Sequence, residues 1–171
     1  MKKALILIGI VFSACTASLA QQEKGDISLT FGGTYIGVKD NKSGSFYAKA
    51  GYFITDNIEV GVRPNLTLGE GMTMFGFGGY GTYNFLTSDA KLAPYAGAEL
   101  NFNTVSIEGL DGMSRTDMGL YAGSKYFLTE SLNVDAGLNL GFNIGNNYGE
   151  GYEPGTVFMM QIGIGFILGK L

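Results

Sequence analysis

Apolar and polar residues alternate along most of the chain. Ile27, Leu29 and Phe31 are separated by Ser28 and Thr30, and Ile58, Val60 and Val62 by Glu59 and Gly61. Ala96, Ala98, Leu100 and Phe102 repeat the pattern. The longest stretches are Leu132, Val134, Ala136, Leu138, Leu140 and Phe142, and then Phe158, Met160, Ile162, Ile164 and Phe166. A period of two sends successive side chains to opposite faces of a strand, whereas a helix needs apolar residues three and four apart. The pattern therefore predicts strands, each with one apolar face.

A short phrase punctuates these strands. Tyr52-Phe53-Ile54-Thr55-Asp56, Asn84-Phe85-Leu86-Thr87-Ser88-Asp89 and Tyr126-Phe127-Leu128-Thr129-Glu130 all read Phe, aliphatic, Thr, then a polar turn. The spacing divides residues 21 to 171 into four units of 32 to 42 residues, each with room for two strands. One hairpin unit repeated four times gives eight antiparallel strands. The connections at the opposite ends are longer and differ in chemistry: Val38 to Ser45, Gly69 to Met72, Val105 to Ser114 and Gly145 to Gly155. Short uniform turns at one end and variable loops at the other are the pattern of transmembrane barrels. Strands of roughly ten residues suit a tilted crossing of the bilayer.

Composition decides which way the barrel faces. A soluble eight-stranded barrel also alternates, but its outer face is charged. Here charged residues are only 15% of the chain, while Gly numbers 28. The polar face carries Gly51, Gly61, Gly97, Gly119, Gly123, Gly137, Gly141, Gly163 and Gly165. Small residues suit a crowded lumen, so the apolar face belongs outside, against lipid. The outward set then includes Leu29, Phe31, Val60, Leu100, Leu120, Leu138, Ile162 and Ile164. The same parity turns Lys49, Glu59, Arg63, Glu99, Asp117, Lys125 and Asp135 inward as a lumen charge network.

Eight strands leave an interior that side chains fill, so these charges are expected to pair and to plug the barrel. Glu59 and Arg63 lie two pleats apart on one strand, about 13 Å, too far to pair directly. Their partners must come from other strands. Arg63 and Lys125 are each expected to have a carboxylate within salt-bridge reach, with no continuous channel between them. A gated or selective small pore is the rival reading of the same residues.

The N-terminus is a targeting segment. Lys2 and Lys3 precede an apolar run from Ala4 to Phe12, and Ser18-Leu19-Ala20 supplies small residues for cleavage, the order of a secretory signal peptide over residues 1–20. Residues 21–171 are then the barrel domain. The run is too short for a permanent membrane helix. Cys15 falls inside the removed segment; the other reading makes Phe12-Ser13-Ala14-Cys15 a lipoprotein-like site with an acylated Cys15. Loss of the two Lys leaves 9 basic and 15 acidic side chains, a net of −6, which argues against nucleic acid as a partner.

Candidate chemistry is sparse. The chain has no His, which removes the commonest general base and metal ligand together. No catalytic, cofactor or metal site is assigned. Gly76, Gly78 and Gly81 match a dinucleotide fingerprint, but Tyr80 to Phe85 continues as a strand where that fingerprint needs a helix. Glu108, Asp111, Glu150 and Glu153 could approach a hard cation through oxygen; they are read as solvated loop carboxylates, and Asp111-Gly112 as a loop-tip turn.

The signal peptide, the Phe-aliphatic-Thr turns and the segment Lys91-Leu92-Ala93-Pro94-Tyr95-Ala96-Gly97-Ala98 together resemble the small outer-membrane β-barrel family, which includes the OmpX-like and OmpA-type eight-stranded barrels. Many members end in Phe, which the assembly machinery reads, whereas this chain ends Phe166-Ile167-Leu168-Gly169-Lys170-Leu171. The resemblance implies an all-β, eight-stranded, antiparallel up-and-down barrel in a Gram-negative outer membrane. It implies outer-membrane lipid and lipopolysaccharide as surroundings, periplasmic chaperones and the barrel-assembly machinery during biogenesis, and a monomer. The expected role is structural or surface-exposed and not enzymatic. The alternatives are a small-solute pore and a loop-based adhesin or ligand-binding barrel.

Overall fold

The computed structural model describes residues 22–38, 41–69, 71–85, 91–107, 113–146 and 156–169. The signal segment, Cys15 and the loop carboxylates Glu108, Asp111, Glu150 and Glu153 lie outside the described residues. Eight strands follow in order: β1 (Ile27–Val38), β2 (Asn41–Phe53), β3 (Ile58–Gly69), β4 (Met72–Asn84), β5 (Leu92–Ile107), β6 (Met113–Phe127), β7 (Leu132–Asn146) and β8 (Thr156–Leu168). Each pairs antiparallel with its neighbours, and β8 returns to β1 to close the barrel. Closure removes the open edges that no membrane-spanning sheet can carry.

The strands run further than alternation suggests. Val38 to Ser45 reads as a loop in the sequence, yet Asn41 opposes Val38 and the ladder continues through Ser45 opposite Thr34. Ser43, Gly44 and Ser45 supply no alternating apolar signal, although the neighbouring strand still presents Leu66 and Leu68 outward at this height. Backbone pairing does not require one. Likewise β5 reaches Ile107 and β6 resumes at Met113, inside the expected connection Val105 to Ser114.

The turns explain the repeated Thr. Thr55 Oγ1 accepts from the Ile58 N–H at 2.9 Å, and Thr129 Oγ1 from the Leu132 N–H at 3.0 Å. A hydroxyl that caps its own turn replaces backbone bonds lost where the strand reverses. The repeat is not uniform, however. Phe53 and Phe127 are buried in the lumen, where they cluster with Ala93 and Ile167, while Phe85 faces outward. Aligned on the outward residues Tyr52, Tyr83 and Tyr126, the unit at β4 has one extra residue, Asn84, which is fully buried in the position that Phe53 and Phe127 occupy elsewhere.

The outer face is apolar across the middle of the strands and turns polar near the loop end, at Thr73, Thr104 and Ser106. Phe31, Val60, Leu100, Leu120, Leu138, Ile162 and Ile164 are exposed, and Leu29 shares their face between buried Ser28 and Thr30. Tyr52, Tyr83 and Tyr126 ring the end bearing the short turns, a placement suited to a membrane–water interface. The ladder that closes the barrel is short. β1 and β8 pair only from Ile27–Leu168 to Gly33–Ile162, whereas β1 pairs with β2 up to Val38.

Candidate functional site: the charged lumen

Inward positions near the middle of the strands build one buried layer from six charges. Glu59 on β3 is its best-connected member. Its Oε1 accepts from Ser28 Oγ on β1 at 2.6 Å and from Tyr80 Oη on β4 at 2.6 Å, and its Oε2 from Lys125 Nζ on β6 at 2.8 Å. Arg63 donates through Nη1 to Glu99 Oε2 on β5, and Asn139 Nδ2 on β7 donates to Glu99 Oε1 at 2.8 Å. Asp135 accepts from the Tyr95 hydroxyl. All six charged residues, Lys49 included, are at most 7% exposed. Three cations stand against three carboxylates, so the layer is formally neutral.

Arg63 and Lys125 thus each meet a carboxylate from another strand, Glu99 and Glu59, as strand parity leads one to expect. Three of the seven charges behave differently, the first being Asp135, which is held by the Tyr95 hydroxyl and is in no ion pair among the described residues. Lys49 makes no ion pair among the described residues. Its ammonium lies 4.8 Å from the Tyr121 ring centroid, 5.6 Å from those of Tyr47 and Tyr80, and 5.9 Å from that of Tyr95. A desolvated cation among aromatic faces gains on the order of 2 kcal/mol from ring quadrupoles. Asp117 stands apart from the layer, toward the loop end. It accepts from Arg115 Nε at 2.7 Å, Asn103 Nδ2 at 2.8 Å and Asn143 Nδ2 at 3.2 Å.

The sequence reading missed Arg115 and the four tyrosines. Arg115 shares the inward parity of Asp117 but stands one residue past the connection assigned to Val105–Ser114 and was not counted with the strand, and the β6–β7 register shifts at Thr116/Asp117. The tyrosines had a signal in cross-strand register. Tyr47 opposes Gly32, Tyr80 opposes Gly61, Tyr95 opposes Gly123 and Tyr121 opposes Gly97. A Cβ at Gly97 would collide with the Tyr121 ring, and one at Gly123 with Tyr95. Each lumen ring therefore lies over a residue that has no side chain. Gly76 and Gly78, two members of the nominal dinucleotide fingerprint, serve the same end: a Cβ there would strike the carboxamides of Asn103 and Asn101. No helix follows them, since β4 continues to Asn84.

The lumen differs above and below this layer. Beneath it, at the turn end, Phe53, Ala93, Phe127 and Ile167 form an apolar floor. Within it lies a void of about 10 Å³, bounded by Thr30, Lys49, Glu59, Tyr80, Tyr95 and Lys125 among others. That is at the lower limit for a single water. Above it, toward the loop end, lies a cavity of about 540 Å³, with Arg63, Glu99, Asn101 and Asn139 at its base.

These features define an eight-stranded transmembrane β-barrel with a polar lumen. The solved structures it resembles are of that class. The N-terminal β-barrel domain of Pseudomonas aeruginosa OprF matches with a TM-score of 0.66 at 22% identity, over 86% of this chain and 100% of that one. Neisserial surface protein A matches with a TM-score of 0.65 at 19% identity, over 85% and 97%. The P. aeruginosa outer membrane protein OprG matches with a TM-score of 0.56 at 13% identity, over 88% and 99%. No protein-family model and no curated protein matches the sequence. At such identities the likeness is one of fold, that of the small outer-membrane barrels.

Proposed function

We propose that residues 21–171 form a non-catalytic, OmpX-like or OmpA-type barrel of a Gram-negative outer membrane, delivered there by a cleaved signal peptide over residues 1–20. Its role is structural or surface-exposed, and its lumen is closed to solutes. The observation that carries the closed lumen is the central layer, in which Glu59–Lys125 and Arg63–Glu99 are tied across strands and the spaces between them hold tyrosine rings. An ion crossing it would have to part buried ion pairs, and separating the partners of such a pair is costly. Lipid and lipopolysaccharide surround the apolar wall; chaperones and the barrel-assembly machinery act on the chain before it inserts. The monomer is its working state. Purified full-length protein in planar bilayers is expected to give no discrete conductance steps. Steady single-channel steps in the wild type would overturn the closed lumen and support a small-solute pore.

A further inference from the structure

The cavity at the loop end is built differently from the layer beneath it, and from this difference we infer that it is a blind cup binding a small uncharged amphiphile, a hydrogen-bonding head group on a short apolar tail. At about 540 Å³ it falls within the roughly 300–1,000 Å³ of small-molecule sites. Its base and sides present carboxamides, Asn65, Asn101, Asn103, Asn139 and Asn143. Each can both donate and accept. Among the described residues the buried carboxamide oxygens of Asn101 and Asn139 have no hydrogen-bond partner, so the base has acceptor capacity that a hydroxyl or amide head could take up after a small side-chain rotation.

Charge in the cup is already spent. Among the described residues that line it, Arg63 pairs with Glu99 and Arg115 with Asp117, so the formal charges are matched and only Arg63 Nε keeps an open donor. A charged ligand would lose hydration without gaining a counter-charge; a neutral one would not. The tail has a matching surface. Met74 on β4 opposes Val105 on β5, which opposes Met113 on β6, and Met72 lies one inward position further out on β4. Met159 faces the same space from β8. Were these side chains present only to fill the barrel, the cavity would be gone. Methionine instead offers an apolar surface that adapts to tails of different shape.

The adjacent pair Met159 and Met160 provides the test, because the first lines the cup and the second points outward at 69% exposure. The protein, in lipid nanodiscs with ¹³C-methyl methionine, is titrated with octanamide, octanoate and octylammonium at neutral pH. The methyls of Met74, Met113 and Met159 are expected to shift saturably with octanamide, at a concentration at least about tenfold below that needed for either ionic homologue. Met160 should drift linearly, as it reports amphiphile dissolved in the bilayer. Gly141→Leu should abolish the saturable shifts without loss of the folded barrel's electrophoretic mobility, since a Cβ there meets nothing nearer than the Val157 carbonyl oxygen at 3.8 Å. The inference is overturned if Met160 moves in step with Met159, if the three head groups act alike, or if saturation survives Gly141→Leu. The blindness of the cup rests on the closed layer, and the two can fail separately: bilayer conductance would remove the closure and leave saturable octanamide binding intact.

Discussion

The two halves of the lumen obey the same alternation and differ in what stands at the inward positions. From the turn end up through the central layer they include Phe53, Phe127, four tyrosines and six charged side chains, with glycines placed under the tyrosine rings. In the loop half they are mostly Asn, Ser, Thr and Met, with the Arg115–Asp117 pair and an unfilled Gly141, and a cavity remains. Barrel geometry therefore sets how much space there is, and the volume of the inward residues decides whether it is filled. The polar face of an alternating strand carries as much structural information as the apolar one.

Substitutions matched between the halves test this contrast. Glu59→Ala should be the most costly. It leaves Lys125, Tyr80 and Ser28 without their shared acceptor, and breaking a buried pair typically costs about 3–5 kcal/mol, with some relief from entering water. Urea unfolding in detergent micelles, followed by the mobility of folded and unfolded protein, should show the midpoint falling. Replacing Lys125 by Met at the same time as Glu59 by Gln should recover part of that loss, since no buried charge is then stranded. Gly97→Ala should follow, at about 1–3 kcal/mol, because the new methyl must displace the Tyr121 ring and the Gly81 backbone.

The loop half should respond weakly. Asp117→Asn is expected to cost under about 1 kcal/mol, as the pair with Arg115 has side chains 22% and 16% exposed. An effect as large as that of Glu59→Ala would mean that the two halves are one network. Gly141→Ala should be the mildest change, neutral or stabilising by at most about 0.5–1 kcal/mol, since strand glycine carries an entropic cost and the site has room. A destabilisation equal to that of Gly97→Ala would remove the distinction between filled and open glycine sites.

Much of this was legible in the sequence, and for identifiable reasons. Period two gave eight strands and the inward face of the central charges, because a strand has only two faces and Glu59, Arg63, Glu99 and Asp135 stand between apolar neighbours. Pairing was partly legible. That Arg63 could not meet Glu59 followed from pleat spacing, but the choice of Glu99 depended on register across several strands, which one sequence does not fix. The cage around Lys49 was hidden because Tyr reads equally well on an apolar face; Tyr52, Tyr83 and Tyr126 do point outward. Only the glycines opposite Tyr47, Tyr80, Tyr95 and Tyr121 mark the inward rings, and these become visible once strands are paired. Arg115 was lost to a boundary: polar residues on both faces near the loop end read as loop although the ladder continues.

The short seam between β1 and β8 also sets an order of events during folding. Every other ladder joins strands that follow one another in the chain, so each can form as a hairpin with little entropy of loop closure. The first and last strands must find each other across nearly the whole polypeptide, and only the stretch from Ile27–Leu168 to Gly33–Ile162 rewards the encounter. Contacts so distant in sequence are slow to form. Since Ser28 on β1 and Lys125 on β6 share one carboxylate of Glu59, the central layer is complete only after that seam has closed. Closure of the barrel and completion of its lumen layer are thus coupled through the one carboxylate of Glu59.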